Sequence, residues 1–296
     1  MLDHTFEINQ KPKRVVILGA NGFVGKKLAV TLQEQGILTK LITRQDVDLA
    51  QDEASSLLES YLQPDDSIVF LSAITPDKGK DTNTFIKNCK IGQAVQASLQ
   101  KIRPSHIIYF SSDAVYPMTS EIVSETSTPS PEDLYGLMHR AREIMMQSVG
   151  VPTAIVRPTI IFGAGDTHNS YGPNRFIREA LEKGTITLFG GGEEMRSHVY
   201  IEDIISATLD ILGKRGFGVI NLATNQSVSF HSVAESIKTK IDRGIEIINK
   251  DRGSPITHRH FDISQLYKSF PSLQFRSFEE ALETSIDRMD SKNAAD

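Results

Sequence analysis

The first residues of the chain that could do chemistry follow the apolar run Arg14–Leu18. Gly19-Ala20-Asn21-Gly22-Phe23-Val24-Gly25 spaces its glycines as G-x-x-G-x-x-G, and the helical pattern KKLAVTLQEQG comes directly after. A glycine loop between a strand and a helix is suited to phosphate. Gly19, without a side chain, permits the tight turn. Gly22 lets a pyrophosphate reach the backbone at the helix N-terminus, where unpaired N–H groups and the helix dipole favour anions. Gly25 lets the helix pack closely on the strand. A dinucleotide is the ligand that this context predicts. A second candidate is Arg44, 25 residues after Gly19 and at the end of the run LTKLIT. An acid there would bind both ribose hydroxyls and repel a 2′-phosphate, whereas a guanidinium suits a phosphate dianion through its planar fork. NADP is therefore favoured over NAD, with Asp46 and Asp48 near enough in sequence to pair with Arg44. His258 and His260 would share one strand face, but no third ligand stands at a recognisable spacing, so no metal is expected. Cys89, in a helical run, reads as core rather than nucleophile.

These residues need a scaffold, and the hydrophobic pattern supplies one. Short apolar runs at 38–43, 66–73 and 105–112 read as strands, with helical patterns at 53–63, around 82–101 and from about 134 between them. TAIVRPTIIFG reads as one further strand. Such alternation predicts βαβ units and an α/β, Rossmann-type, doubly wound parallel sheet. From 164 the chain turns rich in Gly, Asn and charge, and the alternation loosens. The expected division is a dinucleotide-binding domain at 1–163 completed by about 198–223, with a smaller C-terminal substrate lobe from 164–197 and 224–296. One cysteine excludes an internal disulfide framework or a Cys-rich zinc site. A net charge of −5 has the wrong sign for a dedicated nucleic-acid binder. No apolar run is long enough to span a membrane, and the polar start MLDHTFEINQKPKR lacks a signal-peptide core. A cytoplasmic protein is expected.

The G-x-x-G-x-x-G spacing and six further motifs in register resemble the short-chain dehydrogenase/reductase superfamily, in its extended form that acts on nucleotide sugars. Asp48-Leu49 is similar to the family's acidic-plus-apolar pair at the adenine. Leu71-Ser72-Ala73 is similar to its L-A-A strand end, and Asn88 to its helix asparagine. Ser111-Ser112-Asp113-Ala114-Val115-Tyr116 resembles S-[ST]-x-x-V-Y, and Tyr135-Gly136 begins its Y-G-x-x-K. Arg157-Pro158 opens a segment like R-P-x-x-x-Y-G, and Arg196 to Asp203 resembles R-x-x-x-x-V-x-D. The resemblance implies Gly19, Gly22, Phe23, Val24, Gly25, Arg44, Asp48, Leu49, Leu71, Ala73 and Pro158 at the cofactor, with Tyr135 and His139 reaching it too. It implies Tyr135 as acid/base, Ser112 as the anchor of the reacting hydroxyl or ketone, and Asn174 and Arg196 on the substrate's diphosphate. Arg175, Arg178 and Arg259 could add to these, although each alone reads as a solvated surface residue.

One departure matters. The fourth residue after Tyr135 is His139, not Lys. Its i,i+4 spacing keeps it on the tyrosine's helix face, as a ribose or tyrosine partner. A neutral imidazole does not favour phenolate as an ammonium would, so alcohol oxidation is expected to need alkaline pH and ketone reduction to suffer less. Asp113 has Ala114 where the family's dehydratases carry Asp-Glu, which places dehydration behind reduction or epimerisation; Asp113 either orients a substrate hydroxyl or caps a turn. The expected activity is NAD(P)-dependent reduction or epimerisation at a sugar carbon of a nucleotide sugar, with a homodimer compatible. The alternative is a catalytically weak NAD(P)-binding sensor or scaffold of the same fold.

Overall fold

The computed structural model describes residues 1–118, 122–166 and 172–293. From the N-terminus come strand β1 (Leu2–His4), β2 (Arg14–Leu18), helix α1 (Phe23–Glu34), β3 (Thr39–Ile42), α2 (Ala54–Glu59), β4 (Asp66–Phe70), α3 (Thr82–Ile102) and β5 (His106–Phe110). A 3₁₀ turn (Asp113–Val115), β6 (Ile122–Val123), α4 (Leu134–Gln147), β7 (Thr153–Pro158) and β8 (Ile160–Phe162) follow. The C-terminal part holds α5 (Asn174–Lys183), β9 (Thr185–Phe189), β10 (Met195–Tyr200), α6 (Ile201–Lys214), β11 (Gly216–Leu222), β12 (Ser227–Ser229), α7 (Phe230–Ile241), β13 (Glu246–Lys250), β14 (His260–Phe261), α8 (Ser264–Ser269) and α9 (Phe278–Asn293).

Seven strands form the main sheet in the order β1-β11-β7-β5-β4-β2-β3. Every neighbouring pair is parallel except β1 with β11. The doubly wound α/β fold expected from the alternation is the fold observed. Its strands are apolar throughout because helices cover both faces: Val15, Val16, Ile17, Leu18, Ile68, Val69 and Phe70 are all at 0% exposure. The winding reverses between β2 and β4, from which the chain runs to opposite edges of the sheet. A crevice opens at the carboxyl ends of strands at such a switch point. The glycine loop leaves β2 there, and Leu71 leaves β4 beside it.

Two expectations need correction. The polar N-terminal lead contains an edge strand, Leu2–His4, antiparallel to Gly216–Gly218. Gly218, at φ +108°, makes this possible: a Cβ there would stand 2.1 Å from the Met1 carbonyl oxygen. The single strand read in TAIVRPTIIFG is in fact two. Pro158 has no N–H to continue a ladder between β5 and β11, and the chain leaves the sheet at Thr159. β8 then pairs with β10, which also carries β12. Smaller pairs, β9 with β13 and β6 with β14, complete the C-terminal part. One apolar cluster runs from Val15 and Ile17 under the main sheet to Phe176, Val233 and Leu282 in α5, α7 and α9, and a second lies on the opposite sheet face around Leu18 and Phe70. Among the described residues, no helix is long and apolar enough to cross a membrane.

Candidate active site

The glycine loop is built for close approach. Gly19 has φ +93°, and its N–H donates to the Ile42 carbonyl at 3.0 Å. A Cβ on Gly19 would stand 2.9 Å from Ser72 Oγ and 3.0 Å from Ser72 N, so only glycine lets β2 and β4 close the crevice floor. Gly25 serves the loop itself rather than the strand: its Cβ would fall 2.5 Å from the Gly19 carbonyl oxygen. Gly22 is the N-cap of α1, which has neither a side-chain cap nor an acidic residue in its first turn. That helix terminus is left to an external anion. Phe23 and Val24 form the first turn and pack their side chains on the apolar cluster.

A cleft of about 980 Å³ opens from this loop. Gly19, Gly22, Arg44, Asp48, Leu49, Leu71 and Ala73 line it, as the motifs imply. Phe23, Val24, Gly25, Tyr135, His139 and Pro158 are not in its wall. Pro158 is buried at the end of β7, opposite Leu222. Thr43, Gln51, Lys78 and Lys87 line the cleft without having been singled out in the sequence. At its outer end Arg44 donates to Asp48 at 3.0 Å. Burial opposes charge on Asp48, but the Ala50 N–H and Arg44 hold the carboxyl below its usual range. Asp46 turns instead to the Thr43 N–H and hydroxyl at 2.8 and 2.7 Å. Asn88, buried in α3, accepts from Ile74 N at 2.9 Å and donates to Ile74 O at 3.0 Å, which pins the loop after β4.

Ser112 and Tyr135 come from β5 and α4. The Ser112 hydroxyl accepts from Ala114 N at 3.1 Å as cap of the 3₁₀ turn. Asp133 caps α4, accepting from Gly136 N at 2.7 Å. A Cβ on Gly136 would stand 2.1 Å from the Ala114 carbonyl oxygen. Glycine after Tyr135 thus lets the start of α4 dock on the turn that Ser112 caps. His139 lies one turn further on, buried, with its ring edge-on to Tyr135 at 4.6 Å between centroids. Its Nδ1 is bonded to the Tyr109 hydroxyl of β5 at 2.8 Å, and its Nε2 has no hydrogen-bond partner among the described residues. Burial, with Arg142 nearby, pushes the imidazole well below its usual value, so it stays neutral at neutral pH.

A buried polar network holds these elements in place. Arg157 of β7 donates to Glu143 of α4 through Nε at 2.8 Å and Nη2 at 2.7 Å. Ser111 donates to Glu143 at 2.6 Å, and Arg140 donates to it at 2.9 Å. Arg157 also donates to the Tyr116 hydroxyl at 2.7 Å, which donates to Asn221 of β11 at 2.9 Å. Arg259 was expected at the surface or on a diphosphate. It is 2% exposed and clamps the 113–117 turn, donating to the carbonyls of Asp113, Tyr116 and Pro117 and to the Asp113 carboxylate at 3.1 Å. Asp113 is therefore half of an ion pair rather than a free acid or base.

The two residues implied at the substrate's diphosphate lie apart from the main cleft. Asn174 opens α5 and is buried; its amide accepts from Gly163 N at 3.0 Å and donates to Asp166 at 2.7 Å. Arg196, on β10, donates to the Thr257 carbonyl at 2.6 Å and hydroxyl at 2.8 Å. A shallower cleft of about 650 Å³ runs beside β10 past Met195, Ser227 and His231, without Asn174 or Arg196 in its wall. His258 and His260 stack at 6.4 Å, and no group of three or more metal-ligating residues occurs among the described residues. Cys89 is half-buried, and burial raises its thiol.

Comparison with known proteins agrees with this architecture. The model of the NAD dependent epimerase/dehydratase family matches residues 15–223. An uncharacterized UDP-glucose epimerase of Bacillus subtilis (strain 168) is 26% identical over 219 residues, covering 71% of this chain and 69% of that protein. N-acetyl-alpha-D-glucosaminyl-diphospho-ditrans,octacis-undecaprenol 4-epimerase of Escherichia coli O157:H7 is 24% identical over 246 residues, covering 78% and 73%. Among solved structures, UDP-N-acetylglucosamine 4-epimerase from Methanobrevibacter ruminantium M1, in complex with UDP-N-acetylmuramic acid, superposes with a TM-score of 0.83 at 22% identity, covering 96% of this chain and all of that one. The match over 15–223 takes in the glycine loop, Ser112, Tyr135 and Arg196, and on that extent the chain belongs to the NAD dependent epimerase/dehydratase family.

Proposed function

We propose that this chain catalyses NAD(P)-dependent reduction or epimerisation at a sugar carbon of a nucleotide sugar. The observation that carries the reading is the docking at Gly136, which seats Tyr135 on the turn capped by Ser112. The residues present fit a dinucleotide: the Gly19 cradle against Ser72, the uncapped α1 terminus and the orphaned His139 Nε2 each await a polar ligand. A bound nicotinamide would supply reversible two-electron oxidation of a carbinol carbon. Gly19 and Gly22 would bind its pyrophosphate. Tyr135 exchanges a proton with the reacting oxygen, Ser112 orients that oxygen, and neutral His139 donates a hydrogen bond rather than charge. Relatives named as UDP-sugar and undecaprenyl-diphosphate-sugar epimerases support a substrate with a diphosphate handle.

Arg44 directs the cofactor choice to NADP. Its bond to Asp48 is exposed, at 84% for the arginine side chain, and exposed pairs are worth about 0–1 kcal/mol, so a 2′-phosphate can displace Asp48. Titration calorimetry should give NADP(H) an advantage of about 1–3 kcal/mol over NAD(H), lost in Arg44→Ala. Equal affinities would leave Arg44 as the surface partner of Asp48 and make NAD the cofactor.

The substrate class rests on Arg196. A panel of nucleoside diphosphates in a thermal-shift assay with cofactor present should contain at least one that protects the protein. Arg196→Ala should weaken that binding by about 1.5–3 kcal/mol, the range for a hydrogen bond to a charged group. If no nucleotide protects and the variant behaves as wild type, the substrate lacks a nucleoside diphosphate.

A further inference from the structure

Helix α4 carries another basic residue that the chemistry above leaves unused. Arg142 stands seven residues beyond Tyr135 and three beyond His139, and its side chain is wholly buried. Spacing with Met138 and Met146 puts it in the apolar stripe of the helix. Helix α3 makes room for it: a Cβ on Gly92 would stand 2.8 Å from Arg142 Cγ and 3.2 Å from Nε. Nε donates to the Asn88 carbonyl at 2.8 Å, Nη1 to the Ser72 carbonyl at 2.8 Å, and Nη2 to the Asn88 carbonyl and side-chain oxygen at 2.5 and 3.1 Å. All these acceptors are neutral. Burial of a cation with no carboxylate partner is costly and calls for a use.

An inventory of charge around this corner shows what the use is. Glu143 of α4 is neutralised by Arg157 of β7 and by Arg140. Asp113 of the 3₁₀ turn is paired with Arg259. Burial raises the Tyr109 phenol of β5 and the Cys89 thiol of α3, and lowers the His139 imidazole, so all three are neutral near pH 7. Arginine does not lose its proton in proteins. Arg142 is thus the one cation at this corner without an opposing carboxylate among the described residues, and its charge acts on the phenols of both Tyr109 and Tyr135. With the guanidinium beside it, Tyr109 directs its hydroxyl proton to His139 Nδ1, which leaves the imidazole proton on the orphaned Nε2.

We propose that Arg142 is the fixed cation of the Tyr135 centre, a positioning residue that supplies, with Tyr109 and His139 between, the positive charge a lysine at 139 would have brought. The proposal rests on Tyr135 being the acid/base. Loss of the lysine at 139 then removes an ammonium hydrogen bond without removing the electrostatic support for phenolate.

The test is an NMR titration of the full-length, NAD-loaded protein with tyrosines ¹³C-labelled at Cζ, the Tyr135 signal being the one lost in Tyr135→Phe. Tyr135 should ionise below the ordinary phenol value of about 10. In Arg142→Met the transition should move up by a unit or more, and Arg142→Lys should restore most of the shift. The alkaline limb of alcohol oxidation should move with it, so the rate near pH 7 falls about tenfold per unit, as the phenolate fraction does. A purely structural staple would lower the melting temperature in both arginine variants and leave the Tyr135 transition in place, which overturns the proposal. A wild-type Tyr135 that ionises at or above about 10 overturns it without any variant. Full turnover in Tyr135→Phe removes the acid/base reading instead, whatever the titration shows.

Discussion

Tyr135→Phe should reduce turnover by about 10²–10⁴-fold, the usual contribution of a positioned acid or base, while leaving cofactor affinity and stability near wild type. The phenol is the group on this chain placed to exchange a proton beside Ser112, since the nearby His139 is engaged by Tyr109 and Asp113 by Arg259. Ser112→Ala should cost less, because it removes orientation and leaves the proton carrier. The measurement is kcat and KM with the nucleotide sugar that the thermal-shift panel selects, alongside calorimetry with cofactor. Equal turnover of wild type and Tyr135→Phe would make the non-enzymatic dinucleotide-binding sensor or scaffold the better description.

The largest expected effect on stability lies at Glu143. Its carboxylate is buried and receives Arg157, Arg140 and Ser111, and Arg157 is itself only 2% exposed. Glu143→Ala would leave the Arg157 guanidinium buried and unpaired, a loss of about 3–5 kcal/mol. For a chain of this size that lowers the melting temperature by roughly 5–10 °C. The double variant Glu143→Leu with Arg157→Met should recover much of the loss, because removal of both charges strands neither. It should not recover activity in full, since the pair ties α4, which carries Tyr135, to β7 and to the end of β5. Denaturant unfolding of the single and double variants decides the point. A loss under about 1 kcal/mol for Glu143→Ala would mean that water reaches Arg157 and that the network does not carry the site.

The sheet and the phosphate loop were legible because their signals are local. Helical coverage of both faces makes a parallel strand apolar throughout, and a pyrophosphate needs glycine at fixed offsets from the strand end; both patterns lie within a few consecutive residues. The same locality explains the errors. A break at Pro158 and an edge strand at Leu2–His4 depend on which strands lie alongside, β5 and β11 in one case and Gly216–Gly218 in the other.

Part of what the structure added was also latent in the sequence. The spacing of Met138, Arg142 and Met146 places an arginine in an apolar stripe, and Gly92 interrupts a helix that alanine would favour, which together mark a close packing site.

What the sequence by itself determined is the α/β class, the glycine cradle, and the family-like order of Ser112, Tyr135 and His139. Only the tertiary structure decided the partners of each charge: Arg44 with Asp48, Arg259 with Asp113, Arg157 with Glu143, His139 with Tyr109, and Arg142 with neutral oxygens of Ser72 and Asn88. The physical reason is that a buried ionisable group is governed by what lies within a few ångströms of it, and in a crossover fold those neighbours come from strands and helices far apart in the chain.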